Sequence, residues 1–174
     1  MRNNDFIAEE RPVKQRQPKT AAQALQSLMR LAARSEKSSG DALRLMQRWE
    51  VPVAERQGVL QKLIDNRFID DRRYAEAYVR EKSRLAGWGA RKIAMQLRGK
   101  GIAQETIKEA LTQLDGDDTK QRLVDKLRRK LKTTKAMSQY ELRGKLLRYA
   151  LSQGFDYEQA SEAVASVVAD CDEE

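Results

Sequence analysis

Apolar residues recur at intervals of three and four along most of the chain. The first clear stripe contains Ala24, Leu28 and Leu31, and similar stripes follow at short distances. This spacing places side chains on one face of an α-helix. Clusters of Gly, Pro, Ser and Asp interrupt the stripes before any of them becomes long. The pattern therefore predicts an all-α fold built from short amphipathic helices.

The interruptions also predict where individual helices begin and end. Thr20 is a candidate cap for a first helix from Ala21 to about Glu36, because a hydroxyl can accept a hydrogen bond from the free amides of a first turn. The other predicted helices are 41–49, a third following Pro52, a fourth opened by Asp70 or Asp71, 90–100, 104–114, 119–132, an eighth capped by Ser138 and a ninth opened by Asp156.

The stretch from Asn66 to Ile102 has the sharpest pattern. Tyr74, Tyr78 and Leu85, with Ala75 and Val79 beside them, are predicted to form the apolar face of its first helix. Gly87 and Gly89 bracket Trp88 and break that helix. Gly101 suits the left-handed position that closes a second helix, and Ile102 is expected to fold back on its last turn.

The same arrangement recurs at a period near fifty residues. Val51, Ile102 and Phe155 each follow one short predicted helix and open another. Apolar residues also recur at matched offsets from them, in the sets Leu43/Ala94/Leu147, Met46/Leu97/Ala150, Leu60/Leu111/Val164 and Leu63/Leu114/Val167. Such a period is typical of helical arrays in which neighbouring units complete one another's core. The first unit has Trp49-Glu50 where the second has Lys100-Gly101, which leaves open how its second helix ends.

These patterns predict three tandem three-helix repeats that form an elongated, curved helical array. The expected boundaries are a flexible N-terminal arm at 1–19, repeats at 20–69, 70–115 and 116–170, and an acidic tail at 171–174.

Composition restricts the chemistry that the chain can perform. It has no histidine and one cysteine, Cys171. Zinc sites built from Cys and His, intramolecular disulfides and Ser/His or Cys/His nucleophiles are therefore excluded. The Asp70-Asp71 pair is explained by helix capping. We expect no enzymatic activity, no metal and no cofactor, and the absence of a long apolar segment predicts a cytoplasmic protein without a membrane partner.

Charge is concentrated in two basic tracts. Residues 72–100 contain nine Lys or Arg against two Glu, and residues 120–148 contain eleven against one Asp and one Glu. After residue 155 only acidic charges occur. Basic surfaces attract DNA, RNA or acidic proteins, and charge alone does not choose among these partners.

The middle unit resembles the RecX family of bacterial RecA regulators. The similarity lies in Phe68-Ile69-Asp70-Asp71, Tyr74-Ala75, Gly87-Trp88-Gly89, Arg91-Lys92-Ile93 and Lys100-Gly101-Ile102. Ala90 replaces a proline that family members often have, and both residues begin a helix well. The resemblance covers about residues 20–170, with specific motifs only in the middle unit.

The resemblance implies a protein that lies in the groove of a RecA filament on single-stranded DNA. We expect the protein to be a monomer. Such a protein modulates, and in the expected case inhibits, recombinase, ATPase and coprotease activity in DNA repair, recombination and the SOS response. The residues that we expect to contact RecA, or DNA phosphates in the filament, are Arg72, Arg73, Arg91, Lys92, Arg98, Lys100, Arg128, Arg129, Lys130 and Lys132. Tyr78 is predicted to pack in the core, and Trp88 fits either packing or display.

Two other interpretations remain at this point. Short helices joined by glycine turns also describe a stand-alone basic DNA-binding module, which would bind single- or double-stranded DNA through phosphates and would need no RecA. The chain could instead be a helical scaffold with solvated charge.

Overall fold

The computed structural model describes residues 17–172, and it is all-helical over that range. Residues 1–16 of the predicted arm, and the side chains of the predicted acidic tail, lie outside the described residues. The helices are α1 (Ala21–Arg34), α2 (Ser39–Arg48), α3 (Val53–Asp65), α4 (Asp71–Arg84), α5 (Ala90–Gly99), α6 (Gln104–Leu111), α7 (Gly116–Leu131), α8 (Gln139–Ser152) and α9 (Tyr157–Asp172).

Side-chain caps fix several helix starts at the residues that the sequence predicts. Thr20 accepts a hydrogen bond from the Gln23 amide, and the Gln23 side chain accepts one from the Thr20 amide in return. Of the two candidate aspartates, Asp70 is the cap of α4 and accepts from the Arg73 amide. Each such cap satisfies amides that have no partner within the helix.

Three separate hydrophobic cores run along the chain, and each draws on three consecutive helices. Leu28, Met46 and Leu63 lie in the first, which joins α1, α2 and α3. The second joins α4 to α6 through residues such as Ile93 and Leu97, and the third joins α7 to α9. The fold is therefore the predicted array of three tandem three-helix repeats.

The second helix of every repeat closes in the same way. Val51, Ile102 and Phe155 are all buried after folding back on the preceding helix. The residue before each has positive φ, 56° at Glu50, 80° at Gly101 and 91° at Gly154. The first repeat thus keeps the left-handed closure although a glutamate, which favours it less than glycine, occupies the position.

Several predictions of detail are wrong. Leu85 does not belong to the apolar face of α4, because the helix ends at Arg84 and the Leu85 side chain is 84% exposed. Helix α2 begins at Ser39 rather than at residue 41, because the Ser38 hydroxyl caps it. Helix α7 begins at Gly116 rather than at residue 119, because Asp115 accepts from the next two aspartate amides.

The second helices of the repeats meet end to end. The Gly89 amide, at the start of α5, donates to the Gln153 carbonyl oxygen at the end of α8 (2.9 Å). The Arg91 amide donates to the Gly154 carbonyl oxygen (3.0 Å). At the other end of α5, the Ser38 hydroxyl donates to the Lys100 carbonyl oxygen (2.8 Å). The last carbonyl groups of a helix have no partner within that helix, and here they accept hydrogen bonds from donors at the start of the next helix in the row. The dipoles of α8, α5 and α2 therefore follow one another head to tail.

The free end of this row is covered by the segment that precedes α1. The Lys19 amide donates to the Trp49 carbonyl oxygen (2.9 Å), at the position that matches Lys100 and Gln153 in the other repeats. The Lys19 ammonium also lies 3.7 Å from the centre of the Trp49 ring. Lys19, the last residue of the predicted arm, therefore packs on the first repeat.

Candidate functional site

The predicted cationic residues fall into two groups that differ in their neighbours. One group surrounds the joint between the first two repeats and is paired with carboxylates. The other group lies on α5 and α7, and most of its members have no carboxylate partner among the residues that the structure describes. The two groups therefore differ in the charge that they present to a partner.

The paired group contains Arg72, Arg73 and Lys100. Their side chains lie 3.1 Å from Glu76, 2.8 Å from Glu36 and 3.2 Å from Asp41, respectively. Much of their charge is thus balanced within the chain, and the last two pairs connect the first repeat to the second. Their contribution to binding stays a prediction.

Asp41 is the centre of the joint between the first two repeats. Its carboxylate accepts hydrogen bonds from Arg44 (2.7 Å) and from Lys100 (3.2 Å). Burial raises the pKa of Asp41, but the hydrogen bonds from Arg44 and Lys100 outweigh it and hold the pKa below its ordinary value. The carboxylate is therefore charged at neutral pH and ties α2 to the end of α5.

The cations on α5 form the first part of the other group. Arg91 and Arg98 are exposed, and Arg98 donates to the Gln104 side chain (3.0 Å) rather than to a carboxylate. Lys92 is half-buried, with its ammonium 4.6 Å from the centre of the Trp88 ring. These side chains leave positive charge uncompensated along the start and end of α5.

The aromatic residues near α5 have mainly a packing role. Trp88 is half-buried against the core of the second repeat, and Lys82 and Lys92 lie over its ring. Tyr78 packs against the same core, as predicted, and stacks on Tyr74 with 6.0 Å between ring centres. Trp88 thus combines packing with a partly exposed ring that is bordered by two ammonium groups.

The tract on α7 forms the second part of this group. Arg128, Arg129, Lys130 and Lys132 are all exposed. The Lys130 ammonium lies 5.5 Å from the centre of the Tyr149 ring, and Arg129 Nε donates to the Asp125 carbonyl oxygen (3.3 Å). This tract therefore presents a dense positive surface beside the second joint.

Lys126 links the two basic tracts, and sequence reasoning did not single it out. Its ammonium donates to the carbonyl oxygens of Ala86 (2.6 Å) and Gly87 (3.1 Å) and to the Gln153 side chain (2.7 Å). Burial lowers the pKa of Lys126, and the positive charges of Lys92 and Arg129 lower it further. Lys92 from the first tract and Arg129 from the second therefore act on one half-buried charge.

No local signal in the sequence identifies Lys126. Its partners are up to forty residues away, and its position on α7 looks like that of any lysine beside an apolar stripe. The one local indication of a joint beside Lys126 is that Gln153-Gly154 ends its helix in the same way as Lys100-Gly101. The contact depends on how the repeats are stacked, which the pattern within one repeat does not specify.

Among the side chains that the structure describes, those that could bind a metal do not gather in groups of three or more. None of the helices within residues 17–172 is long and apolar enough to cross a membrane.

Comparison with known proteins relates both the central motif and most of the chain to one family. A family model described as RecX, second three-helix domain, matches residues 70–111. Regulatory protein RecX of Mycobacterium sp. strain KMS is 33% identical over 139 residues, which cover 77% of this chain and 75% of that protein. Regulatory protein RecX of Clostridium beijerinckii is 32% identical over 138 residues, which cover 78% of this chain and 62% of that protein.

Some relatives are much longer than the matched region. The chain spans 52% of the length of regulatory protein RecX of Bacillus velezensis, to which it is 29% identical. Among solved structures, RecX from Lactobacillus salivarius superposes with a TM-score of 0.72 and 19% identity, covering 86% of this chain and 97% of that one. At this identity the structural match shows the fold alone.

Proposed function

The chain belongs to the RecX family of regulatory proteins, and on that premise we propose that it binds the RecA filament on single-stranded DNA and modulates its activity. Inhibition of strand exchange, ATP hydrolysis and coprotease function is the expected direction. We also propose that it acts in the cytoplasm as a monomer, in DNA recombination, repair and the SOS response.

The observation that carries this proposal is the uncompensated positive surface of α5 and α7. Two helices of the array carry Arg91, Lys92, Arg129 and Lys130, and none of these residues contacts a carboxylate within the described residues. Binding on such a surface requires no chemistry from the chain. A filament of acidic protein surface and DNA phosphates offers complementary charge along its length.

The array also suits a partner that repeats. Its three units follow one another at nearly constant spacing in the sequence, and hydrogen bonds join each helix end to the next helix start, from backbone amides at the second joint and from the Ser38 hydroxyl at the first. A protein built in this way can contact neighbouring subunits of a filament at the same time. Contacts to more than one subunit strengthen binding through effective concentration.

The decisive experiment measures the ATPase rate of the cognate RecA on single-stranded DNA while this protein is titrated at near-physiological salt. Its binding to the same DNA without RecA is measured in parallel. A fall in rate at concentrations well below those that saturate bare DNA supports filament regulation. A change in rate only where the DNA is saturated contradicts it and favours the stand-alone DNA-binding module, whose affinity falls steeply with salt.

A matched pair of variants tests the surface itself. Changing Arg91, Lys92 and Arg98 to Gln removes three positive charges from α5 and should weaken inhibition at unchanged helicity. The control changes Arg30, Arg34 and Arg48, which are exposed cations of the first repeat, to Gln. Equal inhibition by wild type and the α5 variant would refute the assignment, as would an equal loss in both variants.

A further inference from the structure

A small basic cleft lies between the second and third repeats. The end of α4 and the following turn form one wall, with Arg84, Leu85 and Gly87, and α7 forms the other. Its volume is about 130 Å³. That is room for a few water molecules and for one phosphate group, but not for a nucleobase with its sugar.

The wall from α7 carries cations at helical spacing. Arg122, Lys126 and Arg129 are separated by four and three residues, so their side chains emerge from one face of the helix. Arg84 adds a fourth cation from the opposite wall, and Asp125 is the one carboxylate that lines the cleft. The lining is therefore strongly positive and comes from two repeats.

The contacts of these cations leave most of their charge unbalanced. Lys126 donates only to carbonyl and amide oxygens. Arg122 donates to the Arg84 carbonyl oxygen (3.0 Å) and is paired with Asp118 (2.9 Å). The guanidinium of Arg84 has no hydrogen-bonding partner among the described residues, and Arg129 uses Nε alone, so both retain donors that can point into the cleft. Burial is the main cause of the lowered pKa of Lys126, and repulsion from Lys92 and Arg129 adds to it.

We propose that this cleft binds a phosphate of a nucleic-acid backbone, with Arg84 and Arg129 as its principal ligands from opposite repeats. Arginine suits the role because its planar guanidinium donates two parallel hydrogen bonds to phosphate oxygens. The bound phosphate bridges the second and third repeats and stabilises their joint. This inference goes beyond the proposed function, because binding in the cleft requires no RecA.

The test compares two variants with the same loss of charge. The cleft variant is Arg84→Gln with Arg129→Gln, which keeps Lys126 and Arg122 and their contacts across the joint. The control is Arg30→Gln with Arg34→Gln on α1, both exposed and in the first repeat. Binding of a short labelled oligothymidylate to each is measured by fluorescence anisotropy over a series of salt concentrations, without RecA.

We expect the cleft variant to bind about tenfold more weakly than wild type, the effect of losing charge-assisted hydrogen bonds to one phosphate. The slope of log affinity against log salt should fall by about 0.7, the value for one phosphate contact on a single strand. The control should keep the slope and nearly all of the affinity. Equal effects in both variants, or none in either, would overturn the proposal.

A second measurement uses the unmodified protein, so that a folding defect in the variant cannot decide the result. The backbone amide resonances of Leu85 and Gly87 are followed by NMR while oligothymidylate is added, and again with inorganic phosphate. Shifts with oligothymidylate at concentrations far below those needed for inorganic phosphate support a backbone-phosphate site. The proposal fails if these amides do not move with oligothymidylate, or if both ligands act only at the same high concentration.

Discussion

Replacing Gly154 by Ala is the most informative single perturbation of this fold. Gly154 has φ of +91°, and a Cβ built there would lie 2.3 Å from Lys92 Cβ and 2.4 Å from the Lys92 backbone nitrogen. A left-handed conformation costs an L-residue about 1–2 kcal/mol. The overlap with the start of α5 adds about 1–3 kcal/mol, as overpacking in a dense site does. The expected loss is about 2–5 kcal/mol in the free energy of unfolding.

Urea unfolding monitored by far-ultraviolet circular dichroism measures this loss. Gly58→Ala is the matched control, because Gly58 lies inside α3 and a Cβ there meets nothing within 4 Å. The free energy of unfolding of this control should rise by about 0.5–1 kcal/mol, because alanine favours a helix interior more than glycine does. Gly89→Ala separates the two causes, since Gly89 has an ordinary φ of −79° and a Cβ there would still clash with the backbone of Gly154 and Phe155, at 2.4 Å from the Gly154 carbonyl oxygen.

The result that refutes this reasoning is a Gly154→Ala variant within about 0.5 kcal/mol of wild type, the range of unremarkable surface changes. The backbone contact between α5 and α8 would then be looser than the hydrogen bonds from Gly89 and Arg91 imply. A loss in Gly154→Ala without a loss in Gly89→Ala would assign the whole effect to the left-handed backbone.

Three further predictions test other parts of the array. Glu50→Gly should raise the free energy of unfolding by about 0.5–1 kcal/mol, because it relieves a left-handed glutamate at the first closure; an unchanged urea midpoint would contradict this. Lys126→Met should lower the free energy of unfolding by about 1–3 kcal/mol, because the Ala86 and Gly87 carbonyl oxygens lose their hydrogen-bond donor. Its control, Lys120→Met, removes an exposed ion pair and should lower the free energy of unfolding by less than about 1 kcal/mol. Burial above all, together with the charge of Asp41, raises the pKa of Tyr74 from 10.0 to about 12, so ultraviolet titration should show late tyrosine ionisation that Tyr74→Phe reduces. The unfolded state loses this proton first, so stability from Tyr74 is complete below pH 10.0 and disappears as pH rises through about 12; equal alkaline loss in wild type and variant would refute it.

The sequence predicts the interior of each repeat well, because local spacing determines it. Leu97 and Ile107 recur at helical intervals and are buried, and Thr20 and Ser138 cap the helices that follow them. These features depend on contacts within a few residues or within one three-helix unit. Composition and periodicity therefore carry the information that such features need.

The relation between repeats is not predictable in the same way. Leu85 has the spacing of a core residue, yet it lies at the edge of the cleft because the helix ends one residue earlier. Lys100 belongs to a basic tract in the sequence, but the fold pairs it with Asp41 of another repeat. Charge counts along the chain do not show which charges are neutralised by a neighbouring unit, so the predicted contact residues stay predictions.

The end-to-end row of α8, α5 and α2 gives the described array a direction. One end carries the carbonyl group of Trp49, which accepts from the Lys19 amide, and the other carries the first amides of α8, where the Ser138 hydroxyl accepts from the Glu141 amide. Reversing the array would exchange a carbonyl pole for an amide pole. A partner whose two ends also differ can therefore distinguish the two orientations of this array.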